Sequence, residues 1–469
     1  MRRLTPLDSL FLLLERRQQP LHVGALCLFH PPPGSGPDIG RELAERLRAS
    51  SRAAAPFNRR LVRRLGLSFW EDDAEFDLAH HFVHLALPRP GKVRDLLAMI
   101  SRVHSAHLDR AYPLWRTYLI EGLEDGRIAQ YSKIHHALVD GVAGIRLMMK
   151  SMSASREDSL SMPPPWEVRT RKTRTPSLPV PAPAVGGAGA LRGLWQEGLN
   201  TLPGVWGALR ETWHDLRAQH PDLVTSLQAP RCVLNRPITG SRRFAAQSYS
   251  SARIKAVARA VEGTANDGVL ALCGGALRRY LGELGELPDR PLIAGVPVSL
   301  RRDEGDSGNE IAFALCTLAT DQADPLERLR RVKACMDYNK TRMRSLSSAQ
   351  LMAYGAAMLL PGALNLLSGF GRTTALNVVI SHVPGPRQPQ YWQGCELDGL
   401  YPVSLVMDGV ALNITLVSRH DQIDFGLVGC RKTLPHLQRL LDHLDAELLA
   451  LEQALGQSAE RDRLAASAA

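Results

Sequence analysis

Two adjacent imidazoles followed by a carboxylate and a glycine, His135-His136-Ala137-Leu138-Val139-Asp140-Gly141, are the residues of this 469-residue chain best suited to chemistry. An imidazole takes and returns a proton near neutral pH. Adjacent histidines rarely share a core, because each buried ring needs a polar partner. The stretch reads as a strand end, a short exposed loop, and a helix start marked by Val142, Ile145, Leu147 and Met148. Asp140 stands where a carboxylate caps free N–H groups and stiffens the loop. Gly141 is expected where the backbone turns sharply or meets a ligand closely. The pattern predicts a general base, His136, on a rigid support, with His135, Asp140 and Gly141 completing the candidate catalytic set. Average residue usage yields it in only about two or three chains per thousand of this length, so it is specific. His80-His81 lacks an Asp and a Gly at these spacings and reads as structural.

The elements that must carry this stretch follow from periodicity and capping. Thr5-Pro6-Leu7-Asp8 opens a helix to about 16, and 22–29 reads as a strand. A helix at 38–50 leads into a connection rich in arginine, then a strand at 82–87 and a helix at 93–108. Pro113-Leu114-Trp115 opens a strand, Asp125-Gly126 is a hairpin turn, and the returning strand at 127–134 delivers the histidines. Trp115 reads either as core or as the wall of a substrate slot. This order predicts a mixed α/β (α+β) sheet fold rather than a bundle.

Length alone argues for two domains, and composition places them. The first covers 1–152. A linker at 153–230 holds Pro163-Pro164-Pro165, the basic run 169–174, and leucines and tryptophans between 191 and 216 spaced as an amphipathic helix. The second domain covers 231–458, with a tail at 459–469. Its Thr264-Ala265-Asn266-Asp267 opens another helix by capping.

A net charge of +10 suits anionic partners, namely a phosphorylated cofactor or a membrane surface. No nucleic-acid-binding motif accompanies it. Seven scattered cysteines without C-x-x-C indicate neither disulfides nor zinc and favour the cytoplasm. The leucine run at 10–14 is too short for a signal peptide, and no run spans a bilayer. Gly305-Asp306-Ser307-Gly308 fails as a nucleophile elbow, and His136 with Asp140 lacks a third metal ligand.

The H-H-x-x-x-D-G stretch resembles the active-site signature of the CoA-dependent acyltransferase superfamily, which includes chloramphenicol acetyltransferase and condensation domains. With Leu7-Asp8, Leu21-His22-Val23-Gly24 and Pro113-Leu114-Trp115, the chain resembles bacterial wax ester synthase/acyl-CoA:diacylglycerol acyltransferases over nearly its whole length outside the linker. The resemblance implies two chloramphenicol-acetyltransferase-like domains with an active-site tunnel between them. It implies long-chain acyl transfer from acyl-CoA to diacylglycerol or a long-chain alcohol, with acyl-CoA as substrate and no resident cofactor or metal. Pro113, Leu114 and Trp115 become candidate substrate-binding residues. So do Asn266 and Asp267, whose alternative role is capping alone. The expected location is cytoplasmic, with a peripheral contact to the inner membrane face or lipid inclusions. Asp424-Phe425-Gly426 resembles a structural motif of the superfamily. The rival readings are a condensation-type enzyme fed by a carrier-bound acyl group and a non-catalytic lipid-surface protein.

Overall fold

The computed structural model describes residues 2–64, 67–168, 223–225, 228–299, 311–344, 350 and 373–468. The expected basic run at 169–174 and linker helix at 191–216 lie outside them. The fold is mixed α/β, as the order of elements predicts, and divides into two compact units. The first comprises Met1–Thr170, Arg236–Ile254 and Ser381–Asp442; the second comprises Arg171–Asn235, Lys255–Ile380 and His443–Ala469.

In the first unit the chain forms β1 (Arg2–Arg3), α1 (Pro6–Leu14), β2 (His22–His30), α2 (Ile39–Ala49), β3 (Arg59–Arg64), β4 (Leu67–Asp72), β5 (Phe82–Ala86), α3 (Val93–Ser105), β6 (Trp115–Glu121), β7 (Ile128–His135) and α4 (Gly141–Met149). A six-stranded sheet runs Tyr391–Trp392, Cys395–Val403, β2, β7, β6, β5, antiparallel except for β5 beside β6. Strand Cys395–Val403 pairs along β2, with Leu26 opposite Tyr401, and this pairing draws 381–442 into the first unit. Arg242–Ser250 joins it by pairing with Gln422–Cys430 and by donating the Arg242 and Phe244 amides to Ser105 and Ser101 on α3. Such pairings over hundreds of residues leave no local mark in sequence.

The arginine-rich connection is in fact two strands, β3 and β4, in a small sheet ordered β1-β4-β3. Arg-Arg-Leu-Val-Arg-Arg carries no alternating apolar pattern, which is why periodicity misses it. Asp424 is fully buried and accepts hydrogen bonds from Ser248 Oγ (2.6 Å), Leu400 N (2.8 Å) and Arg419 Nε (3.0 Å). The motif around it is therefore structural, as expected.

In the second unit, Ile293–Ser299 pairs antiparallel with Ile311–Thr317 and parallel with Val378 and Val379. Helix Pro325–Arg344 packs on Ile311–Thr317 and on helix Ala265–Glu283. The closing helix, Arg439–Ala468, continues through the tail. Among the described residues no helix is long and apolar enough to cross a membrane, and no group of three or more His, Cys, Asp or Glu is placed to hold a metal.

Candidate active site

β7 ends at His135, and the next five residues are held from several sides. The His135 amide donates to Leu114 O (2.9 Å) and the His136 amide to Leu21 O (2.9 Å). The Leu138 amide donates back to His135 O (2.9 Å). Asp140 is the N-cap of α4, its Oδ1 accepting from Ala143 N at 2.8 Å, as the sequence predicts. The expectation of an exposed loop is corrected. Ala137 and Val139 are buried, because these apolar side chains join the two clusters on either side of the turn. One cluster is the main core; the other includes Leu4, Leu12, Trp70 and Leu114, and Phe11 of α1 packs against it.

The two rings have different surroundings. His135 is 1% exposed, and its Nδ1 accepts from Ala137 N at 3.1 Å. Its proton therefore sits on Nε2, which faces Glu15 Oε1 at 3.5 Å, an ion-pair separation longer than a good hydrogen bond. The Glu15 carboxylate is also gripped by Arg110 (Nη2 at 2.6 Å, Nε at 3.1 Å) and lies 3.3 Å from His107 Nδ1. Burial alone would raise its carboxyl, but His135 and Arg110 outweigh burial and hold it at about 2. Glu15 also accepts from Leu21 N (3.4 Å), and Leu21 O in turn receives the His136 amide. Glu15 thus braces both histidines, a role invisible in sequence because 120 residues separate it from them.

His136 is half-buried and stacks on Phe11, with ring centroids 4.2 Å apart and planes 21° from parallel. Burial lowers its pKa from the ordinary imidazole value, and the Asp140 charge opposes that only in part. A partly accessible neutral imidazole is the state a general base requires.

Gly141 does not have the conformation expected of a sharp turn. It is the first helical residue and has no positive φ, and a Cβ there would meet no atom within 4 Å. The chain itself therefore has room for a side chain beside the histidine turn. Gly141→Ala is expected to fold with an unchanged or slightly raised melting temperature while kcat/KM falls about tenfold, a methyl displacing substrate from that space. Unchanged kcat/KM would show that substrate does not use it.

Pro113, Leu114 and Trp115 are buried beside the turn. Leu114 offers its carbonyl to His135 and packs against Ala137. Trp115 is 2% exposed, donates its indole N–H to Phe57 O (2.7 Å) and stacks on His81, whose Nδ1 meets Trp115 O at 2.9 Å. His81 is thus structural, as expected. The cavity beside Trp115, about 20 Å³, has room for a water but not for an acyl chain. A far larger open groove in this unit, about 1350 Å³, is lined by residues at the opposite ends of β2, β6 and β7. Seven residues of strand place it about 20 Å from His135, and it holds no imidazole or thiol.

Asn266 and Asp267 belong to the second unit. Asp267 completes a capping box with Thr264, accepting from its amide and hydroxyl at 2.7 Å, and Lys340 Nζ lies 3.5 Å away. Asn266 is half-buried at the same helix start.

Behind β7 lies a buried polar layer that sequence reading missed. His22, opposite His135 in the sheet, donates from Nε2 to His104 O (2.7 Å). His104 donates from Nε2 to Ser404 O (3.0 Å) and accepts at Nδ1 from Tyr131 OH (2.7 Å). Lys133 Nζ donates to Val103 O (2.9 Å) and Ala106 O (2.6 Å) at the end of α3, its pKa drawn down to about 7 by burial. Tyr131, Lys133 and His135 alternate along one strand face, which is the only local signal. Burial, with the nearby Lys133 charge, lowers His104 to about 3, and burial also lowers His22. The unfolded chain binds protons below about 6.5 that these rings refuse, so stability is expected to fall as pH drops through that value. The loss from His104 alone would be about 2 kcal/mol at pH 5. Urea unfolding at pH 7 and pH 5 checks it, and equal midpoints would refute it.

Residues 4–269 match the wax ester synthase/diacylglycerol acyltransferase catalytic domain, and 307–452 match the WS/DGAT C-terminal domain. The chain belongs to the wax ester synthase/diacylglycerol acyltransferase family. It is 45% identical to the O-acyltransferase WSD of Acinetobacter baylyi, over 96% of this chain and 97% of that protein. It is 44% identical to a putative diacylglycerol O-acyltransferase of Mycobacterium tuberculosis, over 97% of this chain and all of that protein. The solved wax ester synthase/diacylglycerol acyltransferase of Marinobacter aquaeolei VT8 matches with a TM-score of 0.77 at 42% identity, covering 97% of this chain and 100% of that one. The starter condensation domain of rhizomide synthetase matches with a TM-score of 0.57 at 11% identity, a likeness of fold alone. Within the family, the histidine turn built above is the catalytic candidate.

Proposed function

We propose that this O-acyltransferase moves a long-chain acyl group from acyl-CoA to diacylglycerol or a long-chain alcohol, making triacylglycerol or wax ester. The observation that carries the reading is His136, a half-buried imidazole with a lowered pKa on a braced and capped turn. His136 removes the hydroxyl proton as the acceptor oxygen bonds to the thioester carbonyl carbon. The carbon–sulfur bond then breaks, and the imidazolium returns the proton to the thiolate. His135 shapes the turn from behind, and Asp140 fixes it rather than relaying charge. Gly141 leaves room for substrate. The route needs no covalent enzyme intermediate and no resident cofactor. The names of the Acinetobacter, Mycobacterium and Marinobacter relatives support the acyl and acceptor classes. The net charge of +10 suits CoA phosphates and a peripheral anionic lipid surface.

The test is purified protein with palmitoyl-CoA and either dipalmitoylglycerol or hexadecanol, following free CoA and neutral lipid together. Release of CoA with matching ester is expected. No ester with either acceptor would overturn the reading.

A further inference from the structure

α1 turns Phe11 and Leu12 toward the protein and a stripe of leucines outward. Inward, Phe11 stacks on His136 and Leu12 joins the apolar cluster with Trp70 and Leu114. Outward, Leu10, Leu13 and Leu14 are 46%, 78% and 39% exposed. Their i, i+3, i+4 spacing makes them one stripe rather than scattered surface leucines. Three leucines left in water on a nine-residue helix are unusual, since apolar side chains on one stripe normally face a partner.

The surroundings of the stripe state the partner's charge. Arg2 and Arg3 precede the helix and Arg16 and Arg17 follow it, all exposed. Arg63 and Arg64 are exposed on β3, in the small sheet whose Trp70 and Leu61 pack in the same cluster as Leu12. The acidic groups nearby are otherwise engaged: Glu15 is buried under Arg110, Asp8 caps the amide of Thr5, and Glu71 lies 3.8 Å from Arg60 and 3.0 Å from Arg64. An apolar stripe edged by arginines fits the boundary between acyl chains and anionic headgroups.

We propose that α1 docks the protein onto anionic phospholipid surfaces, with Leu10, Leu13 and Leu14 entering the acyl boundary and the flanking arginines meeting the headgroup phosphates. This rests on the lipid-acceptor reading above and adds the element that meets the lipid. It also gives α1 a second consequence. Phe11 lies about 100° around the same helix from Leu10 and one turn from Leu14, so the His136 ring it stacks on lies at the flank of the docked stripe.

The test is co-sedimentation of the full chain with vesicles, without acyl donor, using phosphatidylglycerol mixed with phosphatidylcholine and phosphatidylcholine alone. The wild type is expected to pellet with the anionic vesicles and far less with the neutral ones. The triple variant Leu10→Ser/Leu13→Ser/Leu14→Ser should lose about tenfold or more in partition coefficient at unchanged melting temperature, the side chains being exposed already. A second variant, Arg2→Glu/Arg3→Glu/Arg16→Glu/Arg17→Glu, should lose anionic-vesicle binding selectively. The leucine variant should keep wild-type turnover of palmitoyl-CoA with a short, water-soluble alcohol and lose turnover of vesicle-borne diacylglycerol. Undiminished binding by the leucine variant, or no binding by the wild type, would overturn the proposal. So would a leucine variant that turns from dimer to monomer with vesicle binding intact, because the stripe would then join two copies of the chain. Binding is read without catalysis, so failed docking and failed acyl transfer remain separate results.

Discussion

His136→Ala is expected to lower kcat by about 10²- to 10⁴-fold with little change in melting temperature, the range general-base removal commonly produces. The ring is half-buried and its one described stacking partner is Phe11, so the fold loses about 1–2 kcal/mol. The pH profile adds an independent check. The base must be neutral to accept a proton, and burial lowers its pKa from the ordinary 6.5. Activity should therefore persist as pH falls through 6.5 and decline only below it, where the imidazolium forms. Steady-state rates of CoA release between pH 5 and 8 measure this limb. An alanine variant keeping more than about a tenth of wild-type kcat would remove His136 from the chemistry.

The second large effect is expected at a residue that touches no substrate. Glu15→Gln should cost about 10²-fold in kcat, since small misplacements of a catalytic group are that expensive. The carboxylate receives the charge of Arg110, faces His135 Nε2 and holds Leu21, which carries the His136 amide. The amide keeps the size and one acceptor but loses the charge, leaving Arg110 partly uncompensated at about 1–3 kcal/mol of stability. A positioning role predicts that kcat falls while KM for palmitoyl-CoA stays near wild type. Normal kcat with only a lowered melting temperature would reduce Glu15 to a structural ion pair.

The capped helix after the histidines was legible because capping is local: Asp140 and the amide it binds are three residues apart. The hairpin that delivers β7 and the box at Thr264–Asp267 were legible for the same reason. The three-stranded sheet of β1, β3 and β4 was not, because arginines replace the alternating apolar residues that mark a strand. The loop's burial was not either. Ala137 and Val139 are ordinary loop residues until α1 and the core close over them.

By itself the sequence determined the pair of imidazoles, the cap that stiffens them, the alternating order of strands and helices, and the resemblance that these carry. Those properties depend on neighbours a few residues apart, and periodicity records them. Tertiary structure alone decided which imidazole ring is buried against Glu15 and which is left partly accessible. Glu15, Leu21, Arg110 and Phe11 reach the turn from distant parts of the chain, and only folding gives them a distance to it.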